Sequence, residues 1–331
     1  MIRAAVAGLG WWGKHIVRRL AESQKIKVVA AVEPALDKHA EFAAQYGLPV
    51  KPRLEDVLAD KSIDAVILAT PHSMHTAQVT AAAAAGKHVF CEKPLALTRA
   101  DAEKSVAACK AAGVVLGIGH ERRFEPALKE VQRLVTSGEL GTIMHVEANF
   151  SHDKLANVPV TDWRSSPKDA PAAGMTGMGI HLTDAFLAMF GPITEVFAST
   201  AQRVRSAENG DVVSVDVRFA SGATGYLNAI LVTPLYLRFT VFGSKAWVEV
   251  RNHTHPDTPG PSTLTLQRSG AAPEVRTYEW TDSVRENLEA FADACEGRGT
   301  YPFTDAQKIG NIAVLEAICR SAATKTLVTL D

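Results

Sequence analysis

The chain has little cysteine, no long apolar run and no excess of charge. Its four cysteines, Cys91, Cys109, Cys295 and Cys319, lie far apart. No spacing among them suits a zinc site, and a secreted domain stapled by disulfides would carry them more densely. No apolar run reaches the roughly 18 residues of a membrane span. Met1-Ile2-Arg3-Ala4-Ala5-Val6 runs straight into a strand-like stretch, with no basic segment ahead of an apolar core, so no signal peptide is expected. The 35 Lys and Arg nearly cancel the 36 Asp and Glu. That balance gives no electrostatic reason to expect nucleic acid or an anionic membrane as partner. The expectation is a cytoplasmic protein with reduced thiols. At 331 residues, 47% of them hydrophobic, the chain suits two domains.

What is present begins at residue 3. Arg3 to Ala7 reads as a strand, and Gly8-Leu9-Gly10-Trp11-Trp12-Gly13 breaks it. Ile16, Val17 and Leu20 then recur at helical spacing. Strand, Gly-x-Gly-x-x-Gly, helix is the context that a dinucleotide fingerprint requires. Gly8 allows the tight turn, Gly10 lets a pyrophosphate approach the backbone, and Gly13 lets helix and strand pack closely. N–H groups at the helix start would face the phosphates. A second strand, 26–32, ends at Glu33. An acid there accepts hydrogen bonds from adenosine ribose hydroxyls and repels a 2′-phosphate, so NAD is expected over NADP. A solvated strand-end acid is the plain alternative.

Strands and helices alternate as far as residue 119, which implies a doubly wound parallel sheet with helices on both faces. Glu33, the turn Thr70-Pro71-His72-Ser73-Met74-His75, Glu92-Lys93 and His120 fall at strand ends and are expected along one edge. After His120 the texture changes. A helix over 124–135 precedes eight strand-like runs joined by short turns such as Ser221-Gly222 and Gly243-Ser244, and two late helices follow. This predicts an α+β domain with a mostly antiparallel sheet. The boundaries expected are 1–121 and 122–331, with the last helix able to pack back on the first domain. His253 and His255 have His-x-His spacing but no further ligands nearby, and read as a solvated loop rather than a metal site.

Together these motifs resemble the glucose–fructose oxidoreductase/inositol dehydrogenase family, Gfo/Idh/MocA. The resemblance is carried by the glycine fingerprint, Thr70 to His75, Ala85-Gly86-Lys87-His88-Val89-Phe90-Cys91-Glu92-Lys93-Pro94, Arg122-Arg123-Phe124 and Gly179-Ile180-His181-Leu182-Thr183-Asp184. It implies an NAD-binding Rossmann domain and a substrate domain built on an open sheet, one face of which often makes a homodimer or homotetramer. It implies hydride transfer between nicotinamide and a carbinol or carbonyl carbon, usually on a sugar or polyol. The family's Glu-Lys-Pro lysine, at Lys93 here, contacts the reacting hydroxyl, with a cis peptide bond before Pro94. The histidine at 181 is the proton acceptor. Gly8, Gly10, Trp11, Trp12, Gly13, Glu33, Thr70, Pro71, His72, His75, Glu92, Lys93, His120 and Arg164 are the cofactor candidates.

The chemistry fits these residue types. Hydride leaves carbon only as a proton leaves oxygen, so a base must reach that hydroxyl. An imidazole has a suitable ordinary pKa, and a lysine can share the developing negative charge. A helix histidine held only by packing is the plain alternative for His181, and a solvated loop lysine for Lys93. One departure concerns the substrate. Gly177 stands where the family pattern has Asp, four residues before His181. Thr176, Asp184 and Asp153 are the nearby groups that could replace the missing carboxylate. His72 is a milder departure, since Asn is commoner there. The irregular segment 152–173 carries Trp163-Arg164, and with His152, Met175, Thr176 and His181 it is expected to shape the substrate pocket; a surface loop with scattered charges is the plain alternative. The leading expectation is an NAD-dependent dehydrogenase of a sugar or polyol. The alternatives are a cyclic dihydrodiol, hydroxy acid or hemiacetal substrate, or a non-catalytic NAD-binding regulator. No metal is expected.

Overall fold

Six short strands from the first third of the chain form one parallel sheet in the order β3-β2-β1-β4-β5-β6. They are β1 (Ile2–Ala7), β2 (Ile26–Val32), β3 (Val50–Lys51), β4 (Ala65–Leu68), β5 (His88–Cys91) and β6 (Leu116–Ile118). The helices between them are α1 (Trp11–Leu20), α2 (Ala40–Gln45), α3 (Leu54–Leu58), α4 (His75–Ala84) and α5 (Arg99–Ala112). Apart from the exposed Arg3 near the start of β1, the central strands β1 and β4 are apolar on both faces, as expected of a sheet covered on two sides. Thr98 caps α5 by accepting the Asp101 N–H, and Gly113 ends it in the left-handed conformation, so each signal in the sequence acts where it stands. The strand order is that of a dinucleotide-binding sheet, whose ligands lie outside the carboxyl ends of the strands.

This computed structural model describes residues 1–330 and divides into two units. The first holds Met1–Glu121 together with Val284–Ile309. The second holds Arg122–Ser283 and the chain from Gly310 onward. The sequence reading keeps 122–331 together while letting the last helix pack back on the first domain. The return of 284–309 to the first unit has a packing cause. Val284, Leu288, Phe291 and Ala292 join the apolar core of the parallel sheet, and Phe291 meets Phe90 edge-on at 5.6 Å. Full burial of side chains such as Leu288 and Phe291 contributes about 1.5–3 kcal/mol each. Amphipathic spacing is visible in the sequence of this helix; the sheet it covers is not.

The second unit begins with α6 (Pro126–Thr136), β7 (Ile143–Ser151) and α7 (Ile180–Phe190). The strands β8 (Ile193–Ala201), β9 (Val212–Phe219), β10 (Thr224–Ile230), β11 (Tyr236–Gly243), β12 (Ala246–Asn252), β13 (Ser262–Arg268) and β14 (Glu274–Tyr278) follow. Helix α8 (Ser283–Cys295) is the segment that joins the first unit, and α9 (Asp305–Thr324) and β15 (Val328–Thr329) end the described chain. The nine-stranded sheet runs β14-β13-β12-β11-β7-β10-β9-β8-β15 and is antiparallel except where β10 pairs with β7. Burial alternates along β9, β10, β12 and β13, so one face is packed and the other is half-exposed. The eight strand-like runs of the sequence are all present. Helix α7 shows no amphipathic stripe because residues 180–186 are buried on every side. The short strands β3 and β15 have too few residues to show a period.

Register decides what meets at one end of this sheet. Phe150 pairs with Leu237, Leu237 with Asn252, and Asn252 with Ser262. The chain leaving β7 at residue 151 and the chain leaving β12 at residue 252 therefore emerge side by side.

Candidate active site

In the first unit the predicted cofactor residues gather at the carboxyl edge of the sheet. Gly8 has φ +91°, and a Cβ on it would lie 2.6 Å from the Ala69 carbonyl oxygen. A Cβ on Gly13 would lie 1.8 Å from the Gly8 carbonyl oxygen. Gly10, by contrast, faces open space. As the N-cap of α1 it has no side chain to bond the helix start, and no acid stands in the first turn. That is the environment a pyrophosphate needs. Trp11 is mostly exposed beside this turn, while Trp12 stacks on His15 with ring centroids 4.8 Å apart. The Glu33 carboxylate accepts the Leu9 N–H at 3.1 Å and the Ala35 N–H at 3.1 Å, so it stands against the glycine loop.

The Thr70 turn and the Lys93 turn are tied together by one histidine. His75 is wholly buried. Its Nδ1 lies 2.7 Å from the Pro94 carbonyl oxygen and its Nε2 3.0 Å from that of Thr70. The Lys93–Pro94 peptide bond is cis. His72 is buried next to His75, and the Thr70 hydroxyl donates to Gln78. Lys93 itself is half-buried. Glu92 is buried, and desolvation pushes its carboxyl up to about 7, against the opposing pull of Lys93 and of the Lys93 N–H. The Trp12 indole N–H also favours the carboxylate, though it falls short of a well-formed hydrogen bond. Pro71 is half-buried on the same turn, and His120 is buried just past β6, its ring 6.4 Å from Phe303.

In the second unit His181 lies in the first turn of α7, after a wide π-type turn at Met175–Gly179. Two bonded neighbours hold that turn of helix. Thr183 donates to Asn311 at 2.6 Å, and Asp184 accepts both arms of the Arg123 guanidinium at 2.7 and 2.6 Å. The His181 ring borders Phe150 at 6.1 Å. Phe150 also borders His152 at 5.5 Å and His255 at 5.6 Å, and the Arg122 guanidinium covers it at 5.2 Å. Arg122 is itself held by Glu125 at 2.7 Å.

Not every expected residue takes part in this cluster. Met175 is wholly buried and packs under Gly179, so it supports the turn from beneath. Thr176 is buried beside it. Trp163 and Arg164 form a stacked pair 4.2 Å apart, and Asp162 holds the guanidinium. Of the groups considered as replacements at Gly177, Asp184 is committed to Arg123 and Asp153 is exposed. A Cβ at 177 would come within 3.3 Å of Leu155, so the space there is partly filled. The reading of residues 253–261 as a wholly solvated loop is corrected at His255. Its side chain is only 15% exposed, it is bonded to Asp257, and it lies edge-on to His152 with ring centroids 5.0 Å apart. Spacing along the chain carries no signal for this, because β11 and β12 create the contact. No group of three or more metal-ligating side chains occurs among the described residues.

A parallel sheet in this order, with a glycine loop opening its first helix, defines a dinucleotide-binding protein. Residues 2–120 match the family model described as an oxidoreductase family with an NAD-binding Rossmann fold, and residues 128–249 match the GFO/IDH/MocA C-terminal domain. The chain belongs to the GFO/IDH/MocA oxidoreductases, as its motifs led one to expect. It is 31% identical to a D-xylose 1-dehydrogenase (NADP(+)) of Haloferax volcanii over 84% of this chain and 83% of that one. It is 31% identical to a 4-carboxy-2-hydroxymuconate-6-semialdehyde dehydrogenase of Sphingobium over 66% and 68%. The solved structure of an aldose-aldose oxidoreductase from Caulobacter crescentus, 27% identical, superposes with a TM-score of 0.88 over 99% of both chains.

Proposed function

We propose that this chain is an NAD-preferring dehydrogenase or reductase of a neutral, multiply hydroxylated small molecule, an aldose or polyol. One observation carries the substrate class. The cations around the Phe150 cluster each have their own carboxylate: Arg122 has Glu125, Arg123 has Asp184 and Lys154 has Asp257. What faces Phe150 besides the paired Arg122 is three imidazoles, groups that exchange hydrogen bonds with hydroxyls. A carboxylated substrate, such as the name of the Sphingobium relative describes, would compete for cations already neutralised.

The cofactor, when bound, supplies or accepts the hydride. The glycine loop, Glu33 and the turns at Thr70 and Lys93 hold it. His181 takes the proton from the reacting hydroxyl, and Lys93 shares the negative charge that develops on that oxygen. The NAD preference rests on Glu33, a carboxylate at the end of β2 held against the glycine loop, since an acid there would repel a 2′-phosphate. The name of the Haloferax relative, an NADP(+) enzyme, marks the competing outcome. A homodimer or homotetramer belongs to the same reading, since one face of the nine-stranded sheet is only half covered.

The test is NADH and NADPH formation across neutral aldoses and polyols set against hydroxy acids, carboxylated semialdehydes and cyclic dihydrodiols. Turnover of neutral sugars with NAD is expected. Turnover confined to acids would overturn the substrate class, and tighter NADP binding would overturn the cofactor preference. NAD binding without turnover in either direction would favour a regulator.

A further inference from the structure

We propose that His255 is a specificity-determining residue of the substrate site, accepting a hydrogen bond from a substrate hydroxyl beside the reacting carbon. The proposal rests on the functional reading above and deepens it. Three observations support it.

The first is placement. His255 comes from the loop between β12 and β13, about 74 residues after His181, yet both rings border Phe150. Sheet register brings them there, through the row Phe150, Leu237 and Asn252.

The second is the tautomer. The Asp257 carboxylate lies 2.7 Å from Nδ1 of His255. The same carboxylate accepts two bonds from Lys154 Nζ at 2.8 Å and one from the Thr258 hydroxyl at 2.8 Å. The Asp257 backbone N–H also approaches Nδ1, at 3.3 Å, but the shorter contact with an ionised, anchored carboxylate keeps the proton on Nδ1, which leaves Nε2 as a lone-pair acceptor. Among the described residues no side chain or backbone group bonds that Nε2. Burial holds the imidazole below its ordinary pKa, which keeps the acceptor form.

The third is need. Gly177 has no carboxylate, Asp184 is spent on Arg123, and Leu155 crowds the space at 177. An imidazole backed by Asp257 brings an acceptor from a different strand pair. Asp257 is a positioning residue in this arrangement, and the His152 ring lies edge-on to that of His255, 5.0 Å away.

The experiment compares the wild type with His255→Phe, which keeps the ring packing on Phe150, and with His255→Gln, which restores an acceptor. Kinetics are read on D-xylose, D-glucose and the monodeoxy forms of whichever is turned over. For His255→Phe, KM should rise about 10- to 100-fold, the range for leaving one polar partner unmatched, with kcat within about threefold. His255→Gln should recover part of the loss. One monodeoxy sugar should be insensitive to His255→Phe, because the bond is already missing. An equal loss on every substrate, or a loss confined to kcat, would overturn the proposal. Failure of the wild type to turn over any sugar would instead overturn the functional reading. His255 would then be read by calorimetric titration of the same sugars into the NADH-loaded protein. Equal affinities in wild type and His255→Phe, or no binding to either, would overturn the proposal as well.

Discussion

The glycine loop of the first unit and the imidazole cluster of the second are built in opposite ways. The loop is contiguous. Gly8, Gly10 and Gly13 act within six residues, and each is explained by a carbonyl oxygen or an open space at its own Cβ position. The cluster is assembled. Arg122, Phe150 with His152, His181 and His255 come from four places along the chain, and β-sheet register and the packing of α7 bring them together. Cofactor binding depends mostly on backbone, which a short motif can specify. Substrate selection depends on side chains converging from a scaffold, which local sequence cannot specify.

Four substitutions test this contrast. The largest effect is expected at the two residues proposed to act on the reacting hydroxyl, Lys93 of the first unit and His181 of the second. Lys93→Ala and His181→Ala should each lower turnover about 10²- to 10⁴-fold while NAD affinity changes little. Near-normal turnover in either variant, measured with cofactor binding by fluorescence titration, would remove that residue from the mechanism.

Next in size is a change to the backbone-built region. A Cβ at 13 would lie 1.8 Å from the Gly8 carbonyl oxygen, so Gly13→Ala must push α1 off its strand. A loss of about 1–3 kcal/mol of stability is expected, the usual cost of overpacking, with weaker binding of NAD and NADP alike. Denaturant melts and cofactor titration check this, and unchanged affinity would show that the loop tolerates the shift.

The last effect appears only as a change with pH and concerns Glu92. Its carboxyl is raised from 4.5 to about 7 by burial. The folded protein therefore keeps this proton across a range in which the unfolded chain releases it. Stability contributed here is lost as pH rises from about 4.5 to 7. Glu92→Gln removes that loss, so the variant should gain on the wild type by about 2–3 kcal/mol between pH 4.5 and 8. Thermal melts of the cofactor-free protein at both pH values read it, and a constant difference would break the linkage.

The alternation of strands and helices, the glycine loop, the cap at Thr98 and the turn at Lys93-Pro94 were all legible in the sequence, because each depends on neighbours within a few residues. The buried helix α7 was not legible as an element, since a helix covered on all sides has no stripe to show. The sequence allowed a late helix to pack back on the first domain, but not which one: that 284–309 returns is decided by the long-range fit of Phe291 against Phe90. His255 is the sharpest case. Its neighbours in sequence are Thr254 and Pro256, turn-like company that suggests solvent. Its neighbours in space are Asp257, His152 and Phe150. Local chemistry thus determined that this chain holds a dinucleotide. Which side chains stand beside His181 was decided by strand register, and register is a property of the whole sheet.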